Sequence, residues 1–206
     1  MINDRLKYAQ RLAKGRRVLD IGGAGMPPKP GGERAIRTPC YSGGDPSKSK
    51  FARELHKVGE LAREYAVLDG YSAPHVKYVV DMNYADAPSL IRAALEDFKP
   101  DLIICMETLE HVNYHHEIMK TMDAYGCEVF ITIPNNGNWI FNRLGWNYDH
   151  CVSFLPETGL NFVKRAFAKR DISYIPCFQQ WAWYWRAIYL AGFCQPFSLG
   201  FHIKPI

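Results

Sequence analysis

Residues 16–25 read RRVLDIGGAG, in which a short apolar run ends abruptly at a pair of glycines. This pattern is typical of a buried parallel strand followed by a tight turn, because glycine leaves room for a turn or for a ligand close to the backbone. Outward from this stretch, apolar runs of strand length alternate with helical patterns, and no segment repeats. Such alternation predicts an α/β fold, with a mostly parallel sheet and helices on both of its faces.

The predicted elements follow from the spacing of apolar residues. Strands are expected at residues 16–21, 40–45, 76–81, 100–106, 127–135, 172–178 and 199–206. Apolar side chains three and four positions apart predict helices at residues 6–13, 48–67, 89–98, 112–124, 156–168 and 180–190. Residues 26–39, MPPKPGGERAIRTP, are expected to form a loop with at most a short helix at 33–36, because prolines and paired glycines oppose a long helix.

The composition limits the class of protein. A chain of 206 residues, of which 48% are apolar and 22% are charged, is typical of one folded domain over residues 1–206 and excludes global disorder. The longest apolar stretch, residues 181–193, is shorter than the roughly 20 residues that cross a membrane. The N-terminus lacks a signal-peptide pattern, and the six cysteines include no CxxC pair. We therefore expect a cytoplasmic protein with reduced cysteines and no transmembrane segment.

Two surface features each have two interpretations. Residues 1–37 contain nine basic and three acidic side chains, which would suit RNA or an acidic ligand but also fit a solvated helix face. The run QQWAWYWRAIYLAGF, residues 179–193, would suit a lid over an apolar substrate or a membrane interface. A helix that packs on the edge of the sheet explains this run more simply.

The carboxyl ends of the predicted strands hold the candidate ligand residues, because open α/β sheets bind ligands there. At the first strand end, Gly22, Gly23 and Gly25 permit a close approach to the backbone. Asp45, at the predicted end of the second strand, lies 23 residues after Gly22. A carboxylate at this spacing accepts hydrogen bonds from both hydroxyls of a ribose.

The end of the third predicted strand indicates an adenine contact. The Asp81 carboxylate is suited to accept a hydrogen bond from the amino group, and the Met82 thioether to pack on the ring. Together with the glycines and Asp45, these residues suggest a cofactor that contains adenosine. A nicotinamide dinucleotide is disfavoured, since the third glycine of its fingerprint is replaced by Pro28.

The segments VLDIGGAG, GGDPS, PDLIICMETLEHV and ITIPN together resemble the class I S-adenosylmethionine-dependent methyltransferases over about residues 16–170. Within that superfamily, CMETLEHV, ITIPNN and YDHCVSFLPETG look most like the ubiquinone-biosynthesis O-methyltransferases, of the methyltransferase domain 11/23 type. They are also similar to the small-RNA 3′-end 2′-O-methyltransferases. The resemblance implies a Rossmann-like, seven-stranded, mostly parallel sheet with an antiparallel last strand.

The resemblance also implies roles for single residues. The glycines would lie under the methionine part of S-adenosylmethionine, Asp45 would hold its ribose, and a backbone carbonyl after the fourth strand would receive its amino group. The residues assigned to the cofactor on this basis are Asp20, Gly22, Gly23, Gly25, Asp45, Asp81, Met82, Met106 and Glu107.

The motif Glu107-x-x-Glu110-His111 is a second candidate site, which His150 would complete from the loop after the fifth strand. Residues three and four positions apart share one face of a helix, so these side chains would converge. In the two families named above, a similar arrangement is associated with a divalent cation that grips neighbouring substrate oxygens. Carboxylates and imidazoles suit Mg²⁺, Mn²⁺ or Zn²⁺. His115 and His116 are expected to be exposed helix residues.

A metal-free alternative stays open for the same residues. Glu110 would then favour the helix N-terminus, and His150 or His111 would act as the catalytic general base. The overall prediction is an enzyme that methylates a hydroxyl of a small molecule. The alternatives are an RNA 2′-O-methyltransferase, a nicotinamide-dependent oxidoreductase, and an inactive partner protein that binds S-adenosylmethionine.

Overall fold

The computed structural model describes residues 4–23, 50–72, 74–137, 150–177, 196 and 198–205. These residues form one seven-stranded sheet with the strand order β3-β2-β1-β4-β5-β7-β6. The strands are β1 (Arg17–Ile21), β2 (Glu64–Asp69), β3 (Val76–Val79), β4 (Leu102–Met106), β5 (Glu128–Pro134), β6 (Asp171–Cys177) and β7 (Ser198–Lys204).

The described residues also form five α-helices, of which the first precedes β1. They are α1 (Asp4–Ala13), α2 (Lys50–Leu61), α3 (Ala87–Phe98), α4 (His115–Tyr125) and α5 (Pro156–Ala166). Strands β1 to β5 pair in parallel, whereas β7 runs antiparallel to both β5 and β6. The predicted fold class, a mostly parallel Rossmann-like sheet with an antiparallel last strand, is therefore confirmed.

The sheet has a core on each face because alternate residues of a strand point to opposite sides. Phe130 of β5 packs with α1 and α2, and its neighbours Val129 and Ile131 pack with α3, α4 and α5. All residues of β4 are buried, as expected of a strand in the centre of a parallel sheet. Helices therefore cover both faces, and the polar ends of the strands remain for a site.

The predicted helix at residues 48–67 is wrong after residue 61. The helix α2 ends at Leu61, and residues 64–69 form β2, the neighbour of β1. The apolar spacing of the helix continues into Tyr65, so periodicity alone extends the helix. Backbone hydrogen bonds to the start of β1 end it instead, from Gly15 N to Leu61 O at 2.9 Å and from Arg63 N to Arg16 O at 2.8 Å.

Several predictions fall on residues outside the described ranges. They are the loop at 26–39, the strand at 40–45 with Asp45, the glycine Gly25, and the aromatic helix at 180–190. Among the helices that the structure describes, none combines the length and the apolar character needed to cross a membrane.

Candidate functional site

The turn after β1, formed by Gly22 and Gly23 and called the glycine turn below, packs closely against the loop after β4. Gly22 has a φ of +81°, and its backbone nitrogen donates a hydrogen bond to Leu68 O at 2.8 Å. A Cβ atom on Gly22 would lie 2.2 Å from Thr108 Oγ1. The turn therefore needs glycine both for its backbone conformation and for space.

Asp20 lies directly beneath the glycine turn and is only 2% exposed. A Cβ atom on Gly23 would lie 2.6 Å from the Asp20 carboxyl carbon. Tyr65 of β2 donates a hydrogen bond from its hydroxyl to Asp20 Oδ2 at 2.5 Å. Burial raises the pKa of Asp20 to about 7; the hydrogen bond from Tyr65 opposes this rise, and the Asp69 carboxylate adds to it.

This raised pKa predicts a pH dependence of stability. Between about pH 4 and pH 7, folded Asp20 holds a proton that the unfolded chain has released, so the free energy of unfolding falls as the pH rises through this window. The loss amounts to at most about 4 kcal/mol and is complete above pH 7. Urea unfolding at several pH values should show a flatter profile for Asp20→Asn than for the wild type. The exposed Asp86→Asn is the control, and parallel profiles for Asp20→Asn and the wild type would contradict the prediction.

Asp69 occupies the position that the sequence analysis gave to Asp45, at the end of the strand beside β1. It is the last residue of β2 and is buried. Its Oδ1 atom accepts a hydrogen bond from the backbone nitrogen of Tyr71 at 3.1 Å, which fixes the carboxylate at the strand end. The sequence analysis missed this residue because it assigned β2 to a helix. The signal was present, since the run EYAVLDG has the apolar centre and the Asp-Gly ending of a strand and turn.

Asp81 and Met82 follow β3, as predicted, but their environments differ. Asp81 is exposed, and its Oδ1 atom accepts a hydrogen bond from Asn83 N at 3.0 Å. Met82 is buried in the core on the α3 side of the sheet. A Cβ atom on Gly70 would lie 3.6 Å from Asp81 Cα, so the ends of β2 and β3 meet at this edge of the sheet.

The residues that end β4 continue the same edge. Met106 is buried, and Glu107 has a φ of +52°, a left-handed conformation that is uncommon for a residue other than glycine. Glu107 Oε1 accepts a hydrogen bond from Thr132 Oγ1 at 2.9 Å and lies 3.0 Å from Arg5 Nη1. The Glu107 side chain is thus held by β5 and by α1, which the sequence analysis did not foresee.

Glu110, His111 and His150 come together beyond β4 and form what we call the acid–imidazole cluster. One ligand atom from each side chain lies within 4.8 Å of the other two. Glu110 is 1% exposed, and its Oε1 atom lies 3.7 Å from His111 Nε2. The two imidazole rings meet edge to face, with centroids 4.9 Å apart. Glu110 and His111 lie on a short 3₁₀ helix, Leu109–His111, rather than on the first turn of α4, and Glu107 precedes this helix.

Backbone hydrogen bonds hold the segment that carries His150 against the cluster. The nitrogen of Cys151 donates to Glu110 O at 2.6 Å. Asn136, just after β5, clamps Phe154 in both directions: its backbone nitrogen donates to Phe154 O at 2.8 Å, and its Oδ1 atom accepts from Phe154 N at 3.0 Å. The Asn-Asn pair that ends ITIPNN was the only signal in the sequence for this role, which the sequence analysis missed.

The acid–imidazole cluster has the donor chemistry of a divalent-cation site. One carboxylate and two imidazoles are the three protein ligands of many catalytic zinc sites, which keep further positions open. Ligands about 2.1 Å from one tetrahedral ion are about 3.4 Å apart. Glu110 Oε1 and His111 Nε2, at 3.7 Å, are near this separation, whereas the three ligand atoms together lie only within 4.8 Å of one another, so the side chains would have to draw closer around an ion. Glu107, the fourth residue predicted for a cation, is held by Arg5 and Thr132 outside the group of three.

His115 and His116 do not belong to this cluster. They begin α4 and are half-buried rather than exposed as predicted. Both rings contact Phe162 of α5, with centroids 5.1 Å away for His115 and 6.1 Å away for His116. They therefore join α4 to α5.

The seven-stranded sheet with helices on both faces is also found in solved structures. The chain is similar to a SAM dependent methyltransferase from Archaeoglobus fulgidus, with a TM-score of 0.50 and 14% identity over 98% of this chain and 94% of that chain. The fold is that of the S-adenosylmethionine-dependent methyltransferases. A second methyltransferase, from Mesorhizobium loti, is similar at a TM-score of 0.50 and 14% identity over 97% of this chain and 95% of that chain.

A third similar chain belongs to the Pnkp1/Rnl/Hen1 RNA repair complex, with a TM-score of 0.51 and 15% identity. The present chain aligns over 97% of its length but spans only 40% of that chain. No protein-family model matches the sequence, and no curated protein matches it. The methyltransferase fold therefore rests on the similarity of structures.

Proposed function

We propose that residues 1–206 form one S-adenosylmethionine-dependent methyltransferase domain that methylates a hydroxyl oxygen of a small molecule. The observation that supports this proposal is the position of the acid–imidazole cluster. It lies at the carboxyl edge of the sheet, where the glycine turn and the Asp69 carboxylate also lie. Thr108 links the glycine turn to the acid–imidazole cluster, because its side chain contacts the glycine turn and it is only two residues before Glu110.

The proposed ribose ligand is Asp69 in place of Asp45, which the sequence suggested. The glycine turn would lie beneath the methionine part, and Asp69, as the acidic end of the strand beside β1, would bind the ribose hydroxyls. Asp81 would accept a hydrogen bond from the adenine. Asp20 would support the turn from below through its contact with Gly23.

The reaction is a direct transfer of the methyl group. The acceptor oxygen attacks the methyl carbon, the bond from that carbon to the sulfonium sulfur breaks, and S-adenosylhomocysteine leaves. The hydroxyl proton would pass to water or, in the metal-free alternative, to His150 or His111. Much of the rate comes from holding the two reactants in line.

Glu110, His111 and His150 would hold a divalent cation such as Mg²⁺, Mn²⁺ or Zn²⁺. A bound cation lowers the pKa of a hydroxyl and fixes the direction of its attack. Since three protein ligands leave positions open, the site suits an acceptor that presents two adjacent oxygens. A catechol is the small-molecule example of this chemistry.

A second candidate acceptor is the terminal ribose of an RNA, which also presents two adjacent hydroxyls. The observation that favours it is the structural similarity to a chain of an RNA repair complex. The exposed basic residues of α1, Lys7 and Arg11, offer charges for phosphates, although they equally fit a solvated helix face.

Calorimetric titration of S-adenosylhomocysteine tests the cofactor site first. We expect micromolar binding by the wild type and at least about 10-fold weaker binding by Asp69→Asn, because a buried charge-assisted hydrogen bond is lost. Asp45→Asn tests the residue that the sequence suggested for the same role, and Asp86→Asn is the exposed control. Binding that depends on Asp45 and not on Asp69 would contradict the assignment of Asp69.

Transfer of a tritiated methyl group then tests the acceptor. Catechol is compared with phenol, and a short RNA with a free terminal diol is compared with the same RNA oxidised at that diol. Methylation of catechol but not of phenol is the result expected. Methylation of RNA alone would favour the second candidate, and S-adenosylhomocysteine binding without transfer to any acceptor would favour an inactive partner protein.

A further inference from the structure

Arg5 of α1 is a buried cation at the edge of the site. Its side chain reaches the carboxyl end of the sheet and is only 3% exposed. Its Nη1 atom lies 3.0 Å from Glu107 Oε1 and donates a hydrogen bond to Ser198 Oγ, at the start of β7, at 3.3 Å. A charged side chain in such a place needs a specific partner, since burial of an uncompensated charge is costly.

Glu107 is the partner of Arg5, and it is fixed from a second side. The Thr132 hydroxyl donates to the same carboxylate oxygen at 2.9 Å. The Glu107 backbone nitrogen donates to Thr132 O at 2.8 Å, and its φ is +52°. The side chain and the backbone of Glu107 are therefore both bound to β5, on the side where α1 packs.

The acid–imidazole cluster is complete without Glu107. Its three ligand atoms lie within 4.8 Å of one another, and the group that the described residues form contains one carboxylate. Movement of Glu107 into this cluster would break its contacts with Arg5 and Thr132. The buried Arg5 would then lose this ion pair.

We propose that Arg5 is a positioning residue, which holds Glu107 out of the cation site and so limits the protein ligands to Glu110, His111 and His150. This inference rests on the proposed function, because it concerns the cation proposed there. Three ligands leave more coordination positions for the acceptor oxygens than four ligands would. Glu107 then serves to attach α1 to the end of β4.

A second set of contacts attaches α1 to the sheet and keeps Arg5 next to Glu107. Tyr8, one turn after Arg5, hydrogen-bonds through its hydroxyl to His202 Nδ1 at 2.9 Å, and His202 contacts Glu128 through Nε2. The Tyr8 ring also packs on Phe130, with centroids 5.1 Å apart. The helix is therefore fixed to β5 and β7 independently of Glu107.

A measurement of Mn²⁺ binding tests this inference and does not require enzymatic activity. The free ion is quantified from its electron paramagnetic resonance signal. We expect Glu107→Gln to change the dissociation constant by less than about 3-fold, whereas Glu110→Gln should weaken binding by about 100-fold. Arg5→Met removes the ionic contact of the Glu107 carboxylate and leaves the hydrogen bond from Thr132, so it should tighten Mn²⁺ binding by about 5-fold or more. The double variant Arg5→Met with Glu107→Met removes both partners and should return to the wild-type value.

The outcomes separate this inference from the proposed function. If the wild type binds Mn²⁺ and Glu107→Gln loses binding to the same extent as Glu110→Gln, the positioning role is overturned and the cation site is kept. Unchanged affinity in Arg5→Met would also overturn it. A wild-type protein that binds no Mn²⁺, Mg²⁺ or Zn²⁺ would overturn both the cation and the inference. The double variant lacks the buried ion pair entirely, so its Mn²⁺ affinity distinguishes lost ligation from damage to the fold.

Discussion

Glu110→Gln should lower both the affinity for a divalent cation and the rate of methyl transfer by about 100-fold. Glu110 provides the only carboxylate of the acid–imidazole cluster, and it is 1% exposed. The amide that replaces it has nearly the same size but carries no charge, so the shape of the site is kept while its attraction for a cation falls. Calorimetry with Mn²⁺ and transfer of a tritiated methyl group to catechol measure the two effects.

Glu117→Gln is the matched control for this substitution. Glu117 lies in the first turn of α4 and is exposed. Its replacement by glutamine removes the same charge from the same part of the chain. Its variant should keep cation affinity and transfer rate within about 2-fold of the wild type, as distant exposed charges are screened. Transfer that survives in Glu110→Gln and resists chelators would instead favour His150 or His111 as a general base that works without a cation.

The central strands could be predicted from the sequence because their burial leaves a clear pattern. In β4 every residue is buried, so its apolar run has no polar interruption and cannot fit an exposed element. The last two strands, β6 and β7, were also predicted from their apolar runs, and the antiparallel direction of the last strand was predicted from the family resemblance. The resemblance and the apolar runs agree because both reflect a sheet that has a hydrophobic core on each of its faces.

The second strand could not be identified in this way. Tyr65 continues the apolar spacing of α2, and the choice between helix and strand depends on its pairing with Val18 in β1. This pairing involves residues far apart in the sequence, which periodicity does not register. Because of this error, the sequence analysis named Asp45 for the ribose and did not consider Asp69.

The candidate site was predicted only where its residues are close in sequence or belong to a known motif. Glu110 and His111 are adjacent, and His150 was proposed from the family pattern; the structure places all three together. Arg5 and Asn136 were missed, because their roles depend on contacts with Glu107 and Phe154 that are made only in the folded chain. Partners of this kind are set by the packing of α1 and of the segment after β5.

Gly22→Ala should lower the free energy of unfolding by about 3–4 kcal/mol and weaken S-adenosylhomocysteine binding. At its φ of +81° an alanine costs about 1–2 kcal/mol. The new Cβ atom would also lie 2.2 Å from Thr108 Oγ1 and 2.8 Å from Thr108 Cβ, so rotation of the threonine side chain does not remove the overlap. Overpacking of this kind adds about 1–3 kcal/mol. Urea unfolding and calorimetry measure the two effects.

Gly15→Ala separates the two causes. Gly15 has a similar φ of +72°, but a Cβ atom there would meet nothing within 4 Å. This variant should therefore lose only the backbone cost of about 1–2 kcal/mol, and it should bind S-adenosylhomocysteine like the wild type, since it lies at the opposite end of β1. Equal destabilisation in the two variants would show that Thr108 moves away at little cost. The close contact between the glycine turn and the loop after β4 would then not be what fixes the shape of the proposed cofactor site.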